Sequence, residues 1–152
     1  MKVRGPADVR LLDQPFVPSA ALAAFAERHP GSGGIASFTG VVRGGGGVAA
    51  LELSQYPPLT LPGMERLAET ALARWPLDGL LMWHRVGRMG PGEPIVLVAA
   101  AARHRRAALE AVDFAMDHLK AAAWFWKREL KDGAWQWIAP RAEDHADLAR
   151  WG

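Results

Sequence analysis

The sequence predicts an α+β fold: a mixed, largely antiparallel sheet with packed helices, plus a smaller β-hairpin subdomain. Three observations carry this. β-rich runs come in consecutive pairs between helical stretches, giving the order βαββαββαββα, which favours hairpins over crossovers. Two stretches place apolar residues at helical spacing, Met64 to Trp75 and Leu109 to Leu119. Near the C-terminus, Lys131-Asp132-Gly133 separates two aromatic runs, a strong hairpin signal.

The elements follow in order. Val9 to Asp13 reads as a short strand stopped by Pro15 and Pro18, and Ser19 is placed to cap a helix running to Arg28. Ile35 to Val42 and Val48 to Tyr56 read as strands joined by Arg43 and Gly44 to Gly47, with a hairpin the expected connection. Pro57, Pro58 and Pro62 break the backbone, so the next helix is expected to start late, beyond Leu61-Pro62-Gly63, and Pro76 closes it. Leu80 to Val86 and Pro94 to Ala102 are two more strands, linked by a glycine- and proline-rich turn over 87–93. The second is apolar without alternation, as a central strand covered on both faces would be. A helix from Arg105 to Ala122 is apolar round much of its surface, which suits burial between layers or against another subunit. Lys120 lies at the edge of its stripe, so its ammonium is expected to be partly buried. In the strand from Phe125 to Leu130, alternation puts Phe125, Lys127 and Glu129 on one face. A helix from Ala142 to Trp151 ends the chain.

Length and composition narrow the function. The 152 residues suit one domain, 1–152, and the apolar fraction of 50% is that of a folded protein. Lys and Arg number 18 against 16 Asp and Glu, so any preference for anions must come from local clustering. No apolar run is long enough to span a bilayer and no signal-like core is present, which makes the cytoplasm the expected location. Cysteine is absent, excluding disulfides, thiolate metal sites and a catalytic thiol on this chain. The five histidines show no metal spacing, and the glycine loop is no P-loop because no Gly-Lys-Ser/Thr follows it.

The basic residues cluster at both ends of one helix. Arg103, His104, Arg105 and Arg106 stand where a strand gives way to the helix, and free amides and guanidinium forks there suit a phosphate. A solvated cap, or pairing with nearby carboxylates, is the alternative. Lys120 and Lys127 flank an aromatic cluster at the other end. Asp117 is an ordinary surface partner for Lys120, while partial burial would favour a neutral, reactive amine. Lys127 also fits a strand-edge residue. Four tryptophans, Trp124, Trp126, Trp135 and Trp137, suit a core or a partner interface.

The segments Phe38 to Arg43, Tyr56-Pro57, Arg74-Trp75-Pro76, His84 to Gly87, Pro91-Gly92-Glu93, His104-Arg105, Met116 to Lys120 and Phe125 to Glu129 occur in that order. Together they resemble the large, catalytic subunit of molybdopterin synthase, the MoaE family, from about Gly34 to Trp151. The resemblance implies an α/β-hammerhead-like fold and a homodimer flanked by two small ubiquitin-like subunits, a heterotetramer. The small subunit's C-terminal Gly-Gly thiocarboxylate would supply sulfur to cyclic pyranopterin monophosphate. No cofactor, nucleic acid or membrane is implied. By position, Lys120 and Lys127 match the family's active-site lysines. Arg43, His104 and Arg105 match residues that hold the pterin, Val41, Val42, Arg128 and Glu129 line the same pocket, and Arg141 falls near another basic position. Family sites are assembled across the dimer interface. Three departures stand out: the all-glycine loop after Arg43, Leu61-Pro62-Gly63 in a helix start, and Trp124 where proline is common. Rival readings of the same basic cluster are a binding module for phosphorylated ligands or nucleic acid, and a scaffold subunit.

Overall fold

The computed structural model describes residues 6–121 and 124–152. Ala122, part of the expected central helix, lies outside them. The elements are β1 (Ala7–Leu12), α1 (Pro18–Arg28), β2 (Gly34–Val41), β3 (Val48–Gln55), α2 (Thr60–Arg74), β4 (Leu77–Arg85), β5 (Gly87–Met89), β6 (Pro94–Ala102), α3 (Arg105–Ala121), β7 (Phe125–Lys131), β8 (Ala134–Ile138) and α4 (Ala142–Ala149). They form two four-stranded sheets, ordered β1-β4-β6-β2 and β5-β3-β7-β8. Only β1 and β4 run parallel, so the α+β class and its antiparallel bias hold.

The uninterrupted apolar run of β6 has a direct explanation. Val96, Val98, Ala100 and Ala102 pack with α2 and α3, while Leu97, Ala99 and Ala101 pack with Ala21 and Phe25 of α1. Both faces are dry, so neither can be polar. Beneath the second sheet, Val42, Leu51, Leu53 and Met89 form a separate small core.

Five expectations are corrected. β2 and β3 are not a hairpin: β2 pairs with β6, while β3 pairs with β5 and β7. The chain changes sheets at Val42, whose backbone bonds with Glu93 and Gly92 (2.9 and 2.8 Å) hold it against the 90–93 turn. Gly45, Gly46 and Gly47 follow with φ of 94°, 61° and 84°, a left-handed run that only glycine adopts easily. Second, the link over 87–93 contains a strand, because Gly87, Arg88 and Met89 find the free edge of β3. Third, α2 starts at Thr60, since Pro62 falls in the first turn, where a missing N–H costs nothing. Fourth, Ser19 is not a cap; α1 starts at Pro18, with Val17 before it and no side-chain cap bond. α4 also ends at Ala149, short of Trp151.

Among the described residues, no helix is long and apolar enough to cross a membrane.

Candidate active site

β7 supplies the first part of the site. Leu53 lies opposite Lys127 and Leu51 opposite Glu129, both leucines in the small core, so Phe125, Lys127 and Glu129 share the inner face as alternation predicted. Phe125 stacks on His84 with ring centroids 4.0 Å apart and an angle of 22°. Lys127 is half-buried. That burial, then repulsion from Lys120, holds its ammonium below the usual lysine range, against the opposing pull of Asp144 and Glu129. Arg141, heading α4, adds a further positive charge nearby. Its guanidinium and backbone N–H both donate to Asp144, at 3.0 Å each.

Lys120 differs from its expectation. It is exposed, on the last turn of α3. Nor does Asp117 pair with it. That carboxylate is taken by Arg150 at 2.7 Å and by the Trp151 indole at 2.6 Å, from the end of the chain. Neither lysine makes an ion pair with a described residue. The two ammonium groups therefore stand as a positive pair with no carboxylate partner among the described residues.

His84 completes this cluster, and the site residues singled out from sequence did not include it. The signal was a histidine closing the apolar run Leu80 to Trp83. Its Nδ1 donates to the Arg85 carbonyl at 2.9 Å. Burial pushes its pKa down from 6.5 to about 4; the Arg85 bond opposes this, and the two lysine charges reinforce it. The imidazole is neutral at pH 7. Because the folded value lies below the unfolded one, unfolding takes up a proton between pH 6.5 and about 4. The stability linked to neutral His84 is therefore intact above pH 6.5 and lost as pH falls toward 4. Thermal melts across that window should show a falling melting temperature, with a flatter slope for His84→Phe.

Two of the departures noted in the sequence pack on one another. A Cβ on Gly63 would stand 2.5 Å from the Trp124 indole, so the ring lies directly on the first turns of α2. The buried Thr60 hydroxyl donates to the Trp124 carbonyl at 2.5 Å and accepts from the Tyr56 N–H at 2.9 Å. Glycine at 63 thus makes room for tryptophan at 124, and α2 anchors the chain just before Lys127.

The remaining candidates divide. His104 and Arg105 line an open depression with Gly33, Arg103 and Arg106 at the start of α3. Fifteen residues of helix separate Arg105 from Lys120, about 22 Å. Val41 and Arg43 are exposed at the end of β2, and Val42 is buried in the small core. Arg128 points to the opposite face from Lys127. There its guanidinium lies over Trp135 (4.4 Å) and Trp137 (5.7 Å) and bonds Glu52 at 2.8 Å. Lys120, Lys127, Glu129 and Arg141 are therefore brought together, whereas His104 and Arg105 stand a helix length away and Arg128 turns to the other face of β7.

A family model described as MoaE protein matches residues 11–122. The chain belongs to the MoaE family. Among its relatives, a molybdopterin synthase catalytic subunit from Cereibacter sphaeroides is 44% identical over 139 residues, 91% of this chain and 95% of that one. Among solved structures, a molybdopterin biosynthesis MoaE protein from Burkholderia ambifaria superposes with a TM-score of 0.81 at 42% identity, covering 96% of this chain and 98% of the other. A complex of subunits 1 and 2 of molybdopterin-converting factor from Helicobacter pylori shares the fold, with a TM-score of 0.76 at 21% identity over 88% of this chain and 91% of the matched one. MoaE membership accounts for the two-sheet architecture.

Proposed function

We propose that this MoaE-family chain is a molybdopterin synthase catalytic subunit, a sulfurtransferase of molybdenum cofactor biosynthesis. In this reading a small ubiquitin-like partner brings sulfur as a C-terminal Gly-Gly thiocarboxylate, and two transfers to cyclic pyranopterin monophosphate form the molybdopterin dithiolene. The observation that carries it is the lysine pair: two ammonium groups near enough to repel each other, one half-buried, and neither ion-paired with a described residue. Such a pair is costly unless an anion arrives. A chain without cysteine also needs its sulfur delivered from outside.

Each residue then has a task. Once the sulfur is bonded to the pterin, water attacks the thiocarboxylate carbon; Lys120 and Lys127 stabilise the oxyanion that forms on its oxygen, and the C–S bond then breaks to leave sulfur on the pterin and a carboxylate on the tail. Arg141, held by Asp144, extends the positive field, and Glu129 limits the charge around Lys127. His104 and Arg105 hold the substrate's phosphate from a second copy of the chain, since their own Lys120 is a helix length away. β2 supports such a dimer: it is a sheet edge beside α3 and exposes Ile35 and Phe38 at 40% and 46%. Arg43 lies two residues beyond the end of the same strand. A plain binding module for phosphorylated ligands would use the α3 start alone and give the lysine pair no role.

Reconstitution with a thiocarboxylated small subunit and cyclic pyranopterin monophosphate tests the reaction by direct assay of molybdopterin. Mixing subunits tests the shared site. Lys120→Ala and Arg105→Ala dimers should each be nearly inactive, yet an equimolar mixture after subunit exchange should regain about one quarter of wild-type activity, because half the dimers then carry one intact site. If each chain held a whole site, no activity would return.

A further inference from the structure

Two buried side-chain polar atoms of the described residues meet no hydrogen-bond partner, Gln55 Oε1 and Arg85 Nε. The Arg85 guanidinium is otherwise anchored, donating to Glu93 at 2.7 Å and to the Arg88 carbonyl at 3.4 Å. Gln55 Oε1 is its amide's sole acceptor and receives nothing from the described residues. An unmatched buried acceptor carries a desolvation cost that folding does not return.

The position of Gln55 indicates what would return it. Gln55 closes β3 directly opposite Phe125, on the face that Phe125 shares with Lys127. Lys127 is its diagonal neighbour, about 7 Å away across the strands. His84 stacks on the same Phe125. Gln55 therefore belongs to the wall of the lysine cluster, and the donor it lacks is not Lys127, whose ammonium is available in the free chain yet leaves the oxygen unmatched.

We propose that Gln55 is a ligand-binding residue of this site: its amide oxygen, closed to solvent in the free chain, turns into the pocket on binding and accepts a hydrogen bond from an N–H carried beside the anionic group that the lysines hold. The inference rests on the function proposed above, and both reactants carry that chemistry. The partner's terminal glycine has a peptide N–H next to its carboxylate or thiocarboxylate, and the pterin has ring N–H groups in the same molecule as its phosphate.

The test uses the full chain with Gln55→Leu, and Gln55→Met as the closer match in shape. Three quantities are read: the melting temperature, the Kd for a small subunit ending in an ordinary Gly-Gly carboxylate, and the KM for cyclic pyranopterin monophosphate in the reconstituted reaction. Removing an unmatched acceptor should leave the melting temperature unchanged or higher. One binding constant should weaken roughly 3- to 10-fold, as loss of one hydrogen bond implies. A weaker Kd assigns the donor to the tail; a higher KM assigns it to the pterin. A fall of more than about 3 °C in both variants would show an oxygen already paired within the chain and overturn the proposal. So would unchanged Kd and KM. A wild-type chain that neither binds the subunit nor turns over would instead overturn the functional reading, and Gln55's role with it.

Discussion

Lys120→Ala is expected to lower turnover roughly 100- to 1,000-fold, the usual loss when one preorganised donor to developing charge is removed. The fold should hardly notice. Lys120 is exposed, lies on the last turn of α3 and makes no ion pair with a described residue, so its truncation belongs with surface changes worth within about 0.5 kcal/mol. A second readout separates catalysis from structure. Lys120's charge helps hold the Lys127 ammonium below the usual lysine range, so its removal should move the Lys127 titration upward, visible by NMR of the lysine side chain. Retained molybdopterin formation by the variant would remove Lys120 from the mechanism.

Asp8→Ala should have the largest effect on stability, about 3 kcal/mol, within the range for leaving buried partners of a charge unmatched. Asp8 is 1% exposed and serves three donors: Arg10 at 2.9 Å, Arg28 at 3.3 Å and the Trp83 indole at 3.2 Å. Arg10 also lies over the Trp83 ring at 4.4 Å. The carboxylate thus ties β1 to α1 and β4. Without it the indole N–H loses its acceptor and both guanidiniums must turn to solvent, though their partial exposure tempers the loss. For a chain of this size the melting temperature should drop by roughly 6 to 12 °C. Turnover measured well below that transition should survive, since Asp8 is not among the charges that act on Lys127. A drop of under about 2 °C would show that the three donors find other partners.

The sequence by itself determined what depends on near neighbours. Strand alternation put Phe125, Lys127 and Glu129 on one face, and a run without alternation made β6 central, because side-chain direction along a strand is set two residues at a time. The same rule sends Arg128 to the opposite face of β7 from Lys127, over Trp135. The order of motifs carried the family. Only the tertiary structure decided what depends on residues far apart in the chain. Asp117, three residues from Lys120, was claimed by Arg150 and Trp151, which stand more than thirty positions away. Burial fell on Lys127 and His84 and not on Lys120, because packing against the small core and Phe125, not the helix's own stripe, decides which ammonium loses its water. The glycine loop joined two sheets because Val42 found a core beyond the one its own strand covers. Gly63 and Trp124, each unusual alone, fit only as a pair in contact. Local periodicity is a property of the backbone; the choice of partner is a competition among all the surfaces that the fold brings together.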